Sequence, residues 1–100
     1  MTDPVAALWL LHQHATFPAS CLAVEVSGLP LVKLDARMGA CLTASLRTDG
    51  APRPLPAERR EELARCRDLA ERAAREAGLD PEGRAYFERL VALADEVLKG

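Results

Sequence analysis

From about residue 57 to residue 77, Leu63, Cys66, Ala70, Ala73 and Ala77 recur at intervals of three and four. That period belongs to a helix, and it draws one apolar stripe along a rod of about 30 Å. The remaining faces carry Glu61/Arg65, Asp68/Arg72 and Glu71/Arg75, each acid four residues before its base, the order that supports an exposed helix surface. Gly78 stands where a left-handed residue ends a helix, and Leu79 supplies the apolar contact of a Schellman ending. Asp80-Pro81 then opens a second helix, with Asp as the cap and Pro at the first helical position. That helix runs to about Leu98 and carries Tyr86, Phe87, Leu90, Val91, Leu93, Ala94, Val97 and Leu98 on a broad apolar face. Two long helices joined by so short a link fold back on each other, so an antiparallel αα-hairpin is predicted.

The N-terminal half must pack on that hairpin. Asp3-Pro4 repeats the Asp-Pro start, and a helix is predicted to about His14. Val5, Leu8, Trp9 and His12 share one face, while Leu10 and Leu11 widen the stripe, which predicts a well-buried helix. Phe17-Pro18 ends it. Residues 21–27 alternate: Leu22, Val24 and Val26 on one face, Ala23, Glu25 and Ser27 on the other, the pattern of a half-buried strand. Gly28-Leu29 is read as the tight turn, and residues 30–34 as a second strand, with Pro30 at its start or on an edge.

Residues 35–50 fit two templates. As a helix, Asp35 caps it, Met38, Cys41, Leu42 and Leu46 form the stripe, and Gly50 lies just past its end. As a strand, residues 40–47 alternate. Composition favours the helix, and Gly50 to Pro56 then forms a rigid, extended connection. The expected fold is therefore mainly α with one β-hairpin (α+β), ordered α-β-β-α-α-α, as a single small domain over residues 1–100. The alternative is α-βββ-αα, with residues 40–47 as a third strand.

Apolar residues make up 49% of the chain and charged residues 28%, enough for both a core and a solvated surface. The 13 basic and 15 acidic residues give a net charge of −2, which does not point to nucleic acid or to an anionic membrane. Cys21, Cys41 and Cys66 are odd in number, widely spaced and without a C-x-x-C pair, which suits a reducing compartment rather than a disulfide framework. The apolar run from Val5 to Leu11 is too short to span a bilayer and lacks a basic leader before it. A cytoplasmic location with no membrane contact is the expectation.

Residues 73–90 resemble the turn of DNA-binding helix-turn-helix motifs, with Ala73, Ala77-Gly78 and a following helix. The resemblance implies that the helix after Asp80 would read base edges in a major groove. Several residues speak against it. Arg84 stands where such motifs bury a branched apolar side chain, Gly83 weakens the reading helix, and Glu82 would face phosphate. The preceding helix is also much longer than that motif's first helix. A plain αα-hairpin accounts for the same residues.

Other chemistry is sparse. His12 and His14 form an H-x-H pair, but on a helix they point about 200° apart and do not chelate one ion. Cys41 would be the most reactive thiol if Arg37, one turn earlier, made its setting electropositive. Cys66 lies in the apolar stripe and is expected to be core. Glu61-Glu62 and Asp95-Glu96 are neighbours on helices and do not converge. No catalytic residue, metal ligand or cofactor is expected.

These readings favour a small protein-interaction or regulatory module without catalytic activity. The alternatives are a DNA-binding regulator through residues 73–90 and a small thiol- or metal-dependent enzyme built on His12, His14 and Cys41. A two-stranded hairpin leaves its edges bare, so a homodimer is expected through the strand over residues 21–27, with Ala23, Glu25 and Ser27 at the contact. The helical face around Tyr86 and Leu93 is the other candidate interface. A monomer with a third strand, or with a helix over the edge, is the competing arrangement.

Overall fold

The computed structural model describes residues 4–46 and 53–99. The elements run α1 (Pro4–His14), a 3-10 turn (Ala19–Cys21), β1 (Glu25–Val26), β2 (Leu29–Pro30), α2 (Leu31–Ser45), α3 (Ala57–Glu76) and α4 (Pro81–Lys99). This is the expected mainly helical order with one hairpin. Asp3 and residues 47–52, which include Gly50 and part of the extended connection, lie outside the described residues.

The antiparallel α3–α4 pair forms the largest contact in the molecule. α3 buries Leu63, Cys66, Ala70, Ala73 and Ala74, a stripe made mostly of small side chains. α4 answers with Tyr86, Phe87, Leu90, Leu93, Ala94 and Val97. Small residues on one helix let the large ones of the other approach closely, which is how helical surfaces interlock. The turn is built as the sequence indicates. Gly78 adopts φ +66°, where a side chain would be strained, and Leu79 is buried behind it. Asp80 Oδ1 accepts the Gly83 N–H at 2.8 Å, so Asp80 is a true N-cap. Two arginines fix the register. Arg60 donates to the Leu98 carbonyl at 2.7 Å near the end of α4, and Arg67 forks onto Asp95 at 2.8 and 3.4 Å. Arg67 also meets Glu71 on its own helix.

α2 lies across both helices. Residues 31–45 are one helix, and the segment over residues 40–47 forms no third strand up to Leu46. The helix starts earlier than expected, which cuts the strand read over residues 30–34 back to Leu29–Pro30. Leu31 and Leu34 are both fully buried, whereas Val32 and Lys33 are exposed. A strand would place 31 and 34 on opposite faces, but a helix extends the stripe 31, 34, 38, 41, 42, 45 without a break. Asp35 is therefore not a cap. It sits one turn into α2.

The hairpin is shorter than its alternation suggests. β1 and β2 contain two residues each, pairing Glu25 with Pro30 and Val26 with Leu29. Ser27 and Gly28 both have positive φ, 50° and 81°, so the turn is Ser27-Gly28 and of type I′, one residue before the expected position. Residues 21–24 are not strand because the amides of Cys21, Leu22 and Val24 are satisfied locally. Cys21 donates to Pro18, Leu22 to Ala19 and Val24 to Cys21, all through short turns. Ser45 and Arg53 close the far end, exchanging a backbone N–H···O bond of 2.9 Å and a hydroxyl bond of 2.7 Å.

Gly83 is a packing residue. A Cβ there would lie 2.8 Å from Cys21 Sγ, so it would collide with a fully buried side chain. Gly83→Ala is expected to destabilise the protein by about 1 kcal/mol, the overpacking exceeding the helix-propensity gain. In a Cys21→Ala background the same change should cost less, with only the 3.1 Å approach to Asp80 Oδ1 left to relieve. Denaturant unfolding of the four chains measures this coupling, and additive effects would show that the two residues do not touch.

Candidate functional site

Every Phe, Tyr and Trp in the chain belongs to one cluster between α1, the following loop and α4. Tyr86 is at its centre. Phe17 meets its ring edge-on at 5.5 Å, Phe87 at 5.5 Å, and the His12 imidazole lies 4.7 Å away. Trp9 stacks beyond His12 at 6.2 Å. The 3.6-residue period places Trp9 and His12 together on the inner side of α1, and Tyr86 and Arg89 together on α4.

Polar groups surround this cluster. The Tyr86 hydroxyl donates to Asp35 Oδ1 at 2.8 Å, linking α4 to α2. The Arg89 guanidinium carbon lies 5.6 Å from the Tyr86 ring centre. Burial and the Asp35 bond push the Tyr86 hydroxyl well above the usual phenol range. Burial also lowers the His12 pKa, with Asp35 opposing that shift and Arg89 adding to it. His12 Nδ1 and Arg89 Nε are buried without a hydrogen-bond partner. These are the ingredients of acid–base chemistry, but His12 is 8% and Tyr86 5% exposed, so both side chains are largely covered by the chain itself. The arrangement holds α1 against the core.

The H-x-H pair is divided: His12 faces inward and His14 faces solvent. Among the described residues, no group of three or more His, Cys, Asp or Glu could hold a metal ion. All three cysteines are free and buried. Burial raises each thiol above its ordinary value. Cys41 lies against the Arg59 carbonyl at 3.9 Å and beside Glu62, which raises its pKa further. That is a poor setting for a nucleophile. Of the carboxylate pairs, Asp95 is engaged by Arg67 and Glu96 by Lys99.

The proposed contact residues separate into two groups. Ala23, Glu25 and Ser27 are exposed, and Ser27 Oγ accepts an Arg72 N–H at 2.8 Å, tying the hairpin to α3. Tyr86 and Leu93 are buried within the chain. They are core residues and present no surface to a partner, because the face of α4 that carries them is the one packed on α1, α2 and α3.

The apolar surface lies elsewhere. Leu10, Leu11 and Leu22 are 57, 59 and 62% exposed, which corrects the expectation that Leu10 and Leu11 are buried. The exposed residues of α1 are Ala7, Leu10, Leu11, Gln13 and His14; all but Gln13 fall at i, i+3, i+4 and i+7, the spacing of a helix contact face. The signal was present in the sequence as a gap in charge. No Asp, Glu, Lys or Arg occurs between Asp3 and Glu25, although 28% of the chain is charged.

No protein-family model, curated protein or solved structure matches this chain. Function must therefore be read from the surface itself. No helix among the described residues is long and apolar enough to cross a membrane.

Alkylation of the folded protein should modify Cys21, Cys41 and Cys66 about a hundredfold or more slowly than an unfolded control, corresponding to an opening cost of roughly 3 kcal/mol. Mass spectrometry of timed iodoacetamide reactions gives the three rates. Fast labelling of Cys41 in the native protein would show that its side of α2 opens, and would restore it as a reactive thiol.

Proposed function

We propose that the protein acts by association rather than catalysis, as a small interaction module that pairs with a second copy of itself through the outer stripe of α1. The supporting observation is that stripe: Ala7, Leu10, Leu11 and His14 on one exposed helix face, without a formal charge. A helix that is apolar nearly all round belongs in an interior, yet α1 has only one side packed on the chain. The strand edge is a weaker alternative, because β1 offers two residues and leans on α3.

Self-pairing suits the pattern. The stripe runs from 7 to 14 with the two leucines at its middle. An antiparallel two-fold arrangement sets Leu10 against Leu11 of the other copy and Ala7 against His14, a self-complementary contact. A neutral seam carries no charge code to select a different partner. A membrane surface is a poorer fit, because interfacial helices carry Lys or Arg on their polar face, and α1 has neither. The three buried thiols support action in a reducing, cytoplasmic setting.

A helix of 11 residues is about 16 Å long. Alone it covers less than the ~800 Å² per partner of a standard interface, so association at micromolar concentration is expected. Sedimentation equilibrium should show a reversible monomer–dimer mixture, and Leu10→Glu with Leu11→Glu should give a monomer of unchanged helicity. A chain that stays monomeric at the highest soluble concentration would sink the reading. So would a dimer that ignores the double substitution, or wild-type chain that partitions onto lipid vesicles instead of pairing.

A further inference from the structure

We infer that α1 is a proton-sensitive latch, seated on α4 through His12 and released when that imidazole takes up a proton. Among the α1 residues whose side chains are described, His12 alone is buried. Val5, Leu8 and Trp9 are only partly covered against the core. The helix is thus anchored by its one inward ionisable group, on the face opposite the docking stripe.

The surroundings of His12 accommodate a neutral ring. Its ring centre lies 4.7 Å from that of Tyr86, with the two planes tilted by 48°, and Nδ1 is buried without a hydrogen-bond partner. In the neutral ring Nδ1 can remain a bare lone pair. In the charged ring both nitrogens carry protons, so a charged donor would be buried unpaired, which is costly. Charges reach the ring from two elements. Arg89 on α4 repels the imidazolium, and Asp35 on α2 attracts it. Asp35 already accepts the Tyr86 hydroxyl at 2.8 Å, and Tyr86 is the third titratable group facing the ring. His14, on α1 itself, faces solvent. Burial outweighs Asp35, so the seated ring binds its proton less readily than a free one. Seating is then complete above the ordinary histidine value of about 6.5 and weakens as pH falls through the lower value of the seated ring.

The latch would control docking, because a released α1 no longer holds its stripe on a fixed surface; this consequence rests on the dimer reading above. The latch itself does not, and the two are separable. Trp9, the only tryptophan, stacks on His12 and reports its seating. His14→Gln leaves His12 as the one imidazole. In that chain the His12 proton NMR titration and the Trp9 emission shift to longer wavelength should share a midpoint below about 6.5. Repeating both with Leu10→Glu and Leu11→Glu removes any second copy and should leave the midpoint in place. His12→Phe, or His12→Leu if the larger ring is not accepted, should abolish the emission shift between about pH 8 and 5.

A His12 midpoint at or above 6.5 would overturn the inference, since Asp35 would then be holding the charged ring in its seat. An emission change that does not track His12, or that survives in the folded His12 variants, would overturn it too. Coincident midpoints in the His14→Gln chain decide the matter even without a His12 variant. A latch that titrates in a chain that never dimerises would refute only the docking surface. A dimer unaffected by this pH range, with no His12-linked change at Trp9, would refute only the latch.

Discussion

The seam between α3 and α4 is the contact on which the rest of the structure depends. Alanine and cysteine on α3 leave room, and Phe87, Leu90 and Leu93 of α4 enter it. Small against large fixes the separation of the two axes. The turn at Gly78 and Asp80 fixes their direction. Arg67 on Asp95 and Arg60 on the Leu98 carbonyl fix the register. α2 packs on both helices and uses an unbroken inner stripe to do so. α1 has no such support. It packs chiefly on α4, and its contact is carried by one histidine and partly covered neighbours.

That gradient from a firm hairpin to a lightly held N-terminal helix underlies the functional reading. A helix completely buried by its own chain has no surface left for association. One that is apolar nearly all round and half covered has a face to spare. Asp35, Tyr86, His12 and Arg89 come from three helices and meet where α1 joins the body. In the proposed latch they tie the seating of α1 to protonation.

How far the sequence could be read depended on whether local pattern and tertiary demand agreed. At α3 and α4 they agree. Stripe, glycine, Asp-Pro cap and apolar face are all local signals and appear close to where they are expected, with Ala74 buried in place of Ala77 at the end of the α3 stripe. At residues 21–34 they diverge. Alternation over residues 21–27 looked like a strand, but Cys21 is drawn down against Gly83 and the backbone takes short turns to get there. Leu31 and Leu34 belong to the buried helical stripe of α2, and that burial is not visible locally. Leu10 and Leu11 show the limit of periodicity: where every face is apolar, the moment no longer says which face is inside. Tyr86 and Leu93 were legible as apolar but not as core, since a broad apolar face serves burial and docking alike. The Asp35–Tyr86 bond joins residues 51 apart in sequence, and no local signal marks it.

The central claim is that stability is concentrated in the α3–α4 seam and that α1 is a separable, lightly seated element. Native-state hydrogen exchange near neutral pH on the Leu10→Glu/Leu11→Glu chain tests it most directly, because no second copy then covers α1. The α1 amides should exchange through an opening of lower free energy than the buried stretches of α3 and α4, whose slowest amides should exchange only by global unfolding. Equal protection of α1 and α4, lost together in one cooperative unit, would contradict the account.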